Sequence, residues 1–134
     1  MAEEYQRVAT CACNAISLRI SGAPIRVSIC HCFACQKRTG APFAQQARFL
    51  QGDIEVAGST QVYTRTADSG NRIDFHFCSR CATVMYYIVE PMLDHVAVPV
   101  GLLCDPNFPA PDFSVYEERM HHWIQLPAAM EHLH

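Results

Sequence analysis

Seven of the eight cysteines in this 134-residue chain fall into three tight groups: Cys11 and Cys13; Cys30, Cys32 and Cys35; Cys78 and Cys81. Two cysteines two or three residues apart can grip one ion from a single turn, because the backbone there folds around the metal. A disulfide framework tends to spread its cysteines along the chain, and a Cys-x-Cys pair closes only a strained ring. The spacing therefore points to metal. Structural zinc takes four ligands in a tetrahedron, commonly thiolates, whereas catalytic zinc keeps a position for water or substrate. Cys11/Cys13 and Cys78/Cys81 are two grips distant in sequence, and together they make four ligands for a structural zinc. Joining them pins the N-terminal strand to the middle of the chain, with about 10–16 kcal/mol of binding available by analogy with zinc-finger peptides.

The run Cys30-His31-Cys32-Phe33-Ala34-Cys35 supplies three more thiolates. In a strand, Cys30 and Cys32 point to one face and His31 to the other. His31 thus reads as a satisfied or exposed histidine rather than a fourth ligand. Three protein ligands leave a position open, and an exogenous thiol is its natural occupant. Spacing alone leaves other assignments open, such as a triplet completed by Cys78 or by Cys104.

The elements that must position these groups are short. Runs rich in Val, Ile, Phe, Tyr and Thr predict strands over residues 7–10, 16–20, 26–30, 43–49, 54–56, 61–66, 72–77, 83–89 and 95–100. Turn formers at 21–24, 51–53, 57–59 and 68–71 separate them. The pattern predicts a mainly β, single-domain fold over residues 1–134, of sandwich or barrel-like type, with at most short helical turns such as one over 34–38. Residues 105–113 hold three prolines and cannot form a central strand, so an extended arm leads into the C-terminal segment.

Composition narrows the function. Half the chain is hydrophobic and 17% charged, enough for a real core. A net charge of -3 speaks against a nucleic-acid groove, which shows itself as a basic face. No stretch approaches the roughly 18 apolar residues of a membrane helix. The N-terminus opens acidic without an apolar signal segment, so the expectation is a cytoplasmic protein with no membrane or nucleic-acid partner. In a reducing compartment, clustered cysteines bind metal or do chemistry.

The run from Cys30 to Gly40 resembles the signature of the glutathione-dependent formaldehyde-activating enzyme family. So do Cys11-Ala12-Cys13, Ala67-Asp68-Ser69-Gly70, the segment from Phe75 to Cys81, and the tail from Asp105-Pro106 through Tyr116-Glu117-Glu118 to Trp123. The motifs stand in the family's order and cover nearly the whole chain. The resemblance implies a zinc-stabilised β fold shared with a Rab-binding chaperone and one class of methionine sulfoxide reductases. It also implies two zinc ions per chain: Cys11, Cys13, Cys78 and Cys81 on the structural one, Cys30, Cys32 and Cys35 on the catalytic one. Where the family usually has glycine after each structural grip, this chain has Asn14 and Ala82, which predicts local strain.

The family reaction adds glutathione to formaldehyde, and run in reverse it is a carbon-sulfur lyase reaction. Zinc coordination deprotonates a thiol that is otherwise mostly protonated near neutral pH, and the thiolate is the nucleophile. Three cysteinates already weaken the ion as a Lewis acid, which favours activating a thiol over activating water. Glutathione carries two carboxylates, so cations should line its pocket. Lys37 and Arg38 flank the triplet in sequence and are the first candidates, followed by Arg48, Arg65 and Arg72. The partners expected are thus a small-molecule thiol and an aldehyde. The alternative is a non-catalytic zinc domain that carries glutathione or binds a protein partner. Cys104, after two leucines, reads as buried and inert, and a reductase acting through it is a weak third reading. His76 reads as a core histidine or one beside a zinc grip, and His121 and His122 as candidate proton carriers in a tail over the pocket.

Overall fold

Short β-branched and aromatic runs, each closed by a turn, become eleven strands among residues 6–133, which the computed structural model describes. β1 (Gln6–Thr10), β2 (Ser17–Ser21) and β5 (Ile54–Ala57) form a three-stranded antiparallel sheet. The larger sheet has eight strands: β3 (Arg26–Cys30), β4 (Ala44–Leu50), β6 (Gln61–Thr66), β7 (Arg72–Phe77), β8 (Val84–Val89), β9 (Met92–Pro99), β10 (Phe113–Val115) and β11 (Glu131–Leu133). Its order is β11-β10-β3-β4-β9-β8-β7-β6. Its neighbours are antiparallel except at β10, which runs parallel to both β3 and β11. The mainly β expectation holds.

Period-two alternation gives the larger sheet two different faces. Val27, Ala47, Phe49, Val96 and Val98 point to one side and pack against Ala9, Leu18 and Ile20 of the small sheet. Arg26, Ser28, Cys30, Gln46 and Arg48 point to the other side, where they line a cavity. The first face is the core, and the second is free to carry chemistry.

One α-helix, α1 (Phe33–Thr39), follows β3 almost at once. Cys32 caps it: its extended backbone leaves Sγ to accept the Cys35 N–H at 3.3 Å. Gly40 ends it in a left-handed conformation (φ 69°) and donates its N–H to Gln36 O, the conformation glycine adopts without a Cβ clash. Three features departed from expectation. β9 starts at Met92 rather than at 95, because it opens directly from the turn that pairs it with β8. β10 and β11 were not foreseen, since three residues show too little alternation to read, and β10 begins at Phe113, past the last proline of the arm, as an inner strand between β3 and β11. Among the described residues, no helix is long and apolar enough to cross a membrane.

The β1–β2 and β7–β8 turns share a design. Cys11 N–H donates to Ile16 O and Asn14 N–H to Cys11 O; Cys78 N–H donates to Thr83 O and Ala82 N–H to Cys78 O. Each turn needs one left-handed residue, and these are Asn14 (φ 65°) and Ala82 (φ 66°). Alanine is strained there by its Cβ, whereas asparagine tolerates the region. Ala82→Gly should therefore raise stability by about 0.5–1 kcal/mol, the relief of strain less the entropy of an added glycine. Denaturant unfolding checks this, with Asn14→Gly expected to gain less.

Candidate functional site

The two turns bring four sulfurs together. Cys11 Sγ and Cys13 Sγ are 3.7 Å apart, as are Cys13 Sγ and Cys78 Sγ. Metal–sulfur bonds of roughly 2.3 Å at tetrahedral angles put sulfurs about 3.8 Å apart, whereas a disulfide needs about 2.05 Å. The cluster therefore has the dimensions of a four-thiolate zinc site and not of crosslinks. Backbone and hydroxyl groups already favour ionised sulfur. Ile16 N–H donates to Cys11 Sγ at 3.3 Å and Arg80 N–H to Cys78 Sγ at 3.4 Å. Hydrogen bonds from Thr83, first from its hydroxyl, lower Cys81 to about 5.

Cys30, Cys32 and Cys35 form the second group able to hold a metal ion, all three buried with their sulfurs within 4.8 Å of one another. Cys30 comes from the end of β3, Cys32 from the cap of α1, and Cys35 from the helix's first turn. Crowding splits their proton affinities. Hydrogen bonding from Cys30 and then Cys35 holds Cys32 low, at about 2, while the contact with Cys32 pushes the Cys30 thiol up. A cation entering the cluster displaces the remaining protons. His31 turns to the opposite side, as strand alternation requires. It is wholly buried, its Nε2 lies 3.3 Å from Ser114 Oγ, and desolvation keeps it neutral by lowering its pKa. The triplet receives no fourth sulfur from Cys78, which belongs to the other cluster, nor from Cys104.

Above the triplet lies a cavity of about 630 Å³, within the range of small-molecule sites. Its walls are unusually cationic: Arg26, Arg38, Arg48, Arg65 and Arg119 face one carboxylate, Asp68. Asp68 pairs with Arg119 at 3.4 Å at the exposed margin. Arg38 lies one helical turn from Cys35, with Nη2 3.9 Å from Cys35 Sγ and its guanidinium over the rings of Phe75 and Tyr87. Arg65 covers Phe75 from the neighbouring strand. Aromatic faces thus hold Arg38 and Arg65 in place without neutralising their charge.

The structure separates residues that the sequence lists side by side. Arg38, Arg48 and Arg65 line the cavity, but Lys37 lies along a different depression with Gln36, Ala41 and His121. The cause is helical geometry, since position 38 shares the face of Cys35 and position 37 does not. Arg72 is on the surface, paired with Asp74 at 3.1 Å. His76 stacks on Tyr86 and shares a hydrogen bond with Thr60, and it belongs to neither sulfur cluster. His121 contacts Gln36 Oε1 at 3.1 Å, outside the cavity, and His122 is exposed. Cys104 corrects an expectation: it is exposed, not buried. Leu102 and Leu103 take the inward positions of a 3₁₀ turn, which leaves Cys104 as its left-handed cap facing solvent.

Three site residues were missed by sequence reasoning. Arg26, Gln46 and Arg119 line the cavity. A signal for the first two was present: 26, 28 and 30, and again 46 and 48, are polar or cysteine positions alternating with apolar ones. Gln36 also acts, donating from Nε2 to His31 O and Arg119 O and so tying the helix to the C-terminal tail.

Comparison with known proteins follows this geometry. Residues 6–119 match the family described as glutathione-dependent formaldehyde-activating enzyme. A Rhodobacter sphaeroides protein of known crystal structure is similar at a TM-score of 0.58 and 19% identity, covering 75% of this chain and 90% of that one. At that identity it speaks for the fold alone. No curated protein matches the sequence.

The two sulfur clusters should respond differently to mutation. Cys78→Ser opens the cluster that ties the two sheets and should cost most of the protein's stability. Cys32→Ser should leave a folded protein short of one metal ion, because serine also caps helices well. Melting temperature and elemental analysis distinguish them, and equal melting temperatures would contradict the division.

Proposed function

The chain belongs to the glutathione-dependent formaldehyde-activating enzyme family, and from that premise we propose that it activates glutathione, or a similar anionic thiol, for reversible addition to formaldehyde or a related aldehyde. In this reading Cys11, Cys13, Cys78 and Cys81 hold a structural zinc, and Cys30, Cys32 and Cys35 hold a second zinc with one position open. The observation that carries it is the placing of a three-thiolate cluster inside a cavity of five arginines and one aspartate. When bound there, zinc supplies the acidity that ionises an incoming thiol.

The chain's own residues do the rest. The arginines attract an anion, and burial among aromatic side chains strengthens that attraction by lowering the local dielectric. Arg38 stands nearest the cluster, where it faces the alkoxide that develops as sulfur adds to the carbonyl carbon. The carbon–sulfur bond forms as the carbonyl π bond breaks, and the oxygen takes a proton from solvent in place of the one the thiol released on ionising. Phe75 and Tyr87 form the wall beneath Arg38 and exclude water from that side. Lys37, on the other flank of α1, adds to the positive field without lining the cavity.

One observation favours a second reading. Among the described residues the cavity has no histidine, and its single carboxylate is paired with Arg119. A site so poor in acid–base groups also suits a carrier that holds glutathione without turning it over. Turnover of glutathione with formaldehyde and larger aldehydes, set against the uncatalysed rate, decides between them. A rate above background should vanish in Cys32→Ser and fall about tenfold or more in Arg38→Met. Binding without added rate would leave the carrier.

A further inference from the structure

The floor of the cavity, formed by β3 and β4, has hydrogen-bonding groups that none of the described residues satisfies. Ser28 and Gln46 face each other in register, as do Arg26 and Arg48. Gln46 is 4% exposed, and its Nε2 donates to Ser28 Oγ at 2.7 Å. Its Oε1 is buried without a partner, and so is Nε of Arg48. Neither arginine forms an ion pair among the described residues; Arg26 lies instead over the ring of Phe113, 4.1 Å from its centroid. Like charges directly opposite one another destabilise a sheet, and an unpaired buried donor and acceptor add to that cost. Such a group is retained where a ligand completes it.

We propose that this floor is a recognition subsite for a carboxylate bearing an N–H on its α-carbon. The carboxylate accepts from Arg26 and Arg48, and the N–H donates to Gln46 Oε1. Two guanidinium groups suit an anion, but the unpartnered Gln46 Oε1, two residues along β4 from Arg48, requires a donor beside it, which sulfate or a simple fatty-acid carboxylate does not offer. Position matches as well. Gln46 faces Ser28, two residues along β3 from Cys30 or about 7 Å, and Arg26 and Arg48 lie at four residues or about 13 Å. The thiol of glutathione is mid-molecule, so its cysteine and one flanking residue, about 7 Å when extended, run from the triplet to Gln46, and the arginine side chains reach back to the carboxylate. Both ends of glutathione have this chemistry: the γ-glutamyl end as an α-ammonium carboxylate, the glycyl end as an amide N–H and carboxylate. The inference rests on the preceding reading in that it seats the thiol sulfur at the cysteine triplet.

Calorimetric titration of the zinc-loaded protein tests it, using the wild type, Gln46→Leu and Arg48→Met. The ligands are glutathione, γ-glutamylcysteine, cysteinylglycine, S-methylglutathione and 2-mercaptoethanol. Both variants should bind glutathione about tenfold or more weakly and 2-mercaptoethanol as the wild type does. The dipeptide that loses affinity by the same factor identifies which end occupies the floor. Arg48→Met removes an unpaired, largely buried charge, so it should melt no lower than the wild type; a loss of affinity then reflects recognition and not misfolding. S-methylglutathione separates this proposal from the one before it, because it keeps both carboxylates but offers no thiol. If 2-mercaptoethanol fails to bind while S-methylglutathione binds and weakens in both variants, thiol activation falls and the floor stands. Unchanged affinity for glutathione and S-methylglutathione in both variants overturns the floor assignment.

Discussion

Four sulfurs from two turns, Cys13 and Cys78 being 65 residues apart, meet within 4.8 Å where the small sheet adjoins the large one, as a group that could hold a metal ion. The packing that surrounds the clamp is made of the same segments. Cys11 and Cys78 are buried in one cluster with Ile16, Leu18, Phe49 and Met85. The sulfur cluster and the apolar packing are therefore one structural unit. With the sheets pinned on one face, the opposite face of the large sheet is relieved of building a core. The chain accepts strain to close the clamp, since Ala82 holds a left-handed turn that glycine would adopt more readily.

That division of labour explains how a chain of negative net charge maintains a strongly cationic interior surface. Five arginines line one cavity, and Arg48 is desolvated enough for its pKa to be lowered by burial. Unpaired charge of this kind destabilises the free protein. It is tolerated because the fold's stability is secured elsewhere and because aromatic faces fix the guanidinium groups. Sites that bind anions by preorganised charge commonly carry such a cost.

Much of this was legible in the sequence, and for physical reasons. Cysteine spacing reports local turn geometry directly, so Cys11, Cys13, Cys78 and Cys81 could be grouped, and Cys30, Cys32 and Cys35 set apart, before any fold was known. Alternation correctly turned His31 away from the triplet. Legibility failed wherever the answer depended on which side of an element a residue faces. Lys37 and Arg38 are neighbours in sequence, yet only Arg38 shares a helical face with Cys35. Cys104 follows two leucines and read as buried, but those leucines occupy the inward positions and expel it. Arg26 and Gln46 became visible as site residues only when β3 and β4 were paired in register, a long-range fact that local spacing does not contain.

The central claim is that one sulfur cluster is closed and the other keeps a position for a thiol. X-ray absorption at the zinc edge measures this directly, by counting sulfurs per ion before and after saturation with glutathione. The account predicts four protein sulfurs at one centre and three at the other in the free protein, rising to four at both when glutathione binds. Four sulfurs at both centres without glutathione, or no change on saturation, would contradict it.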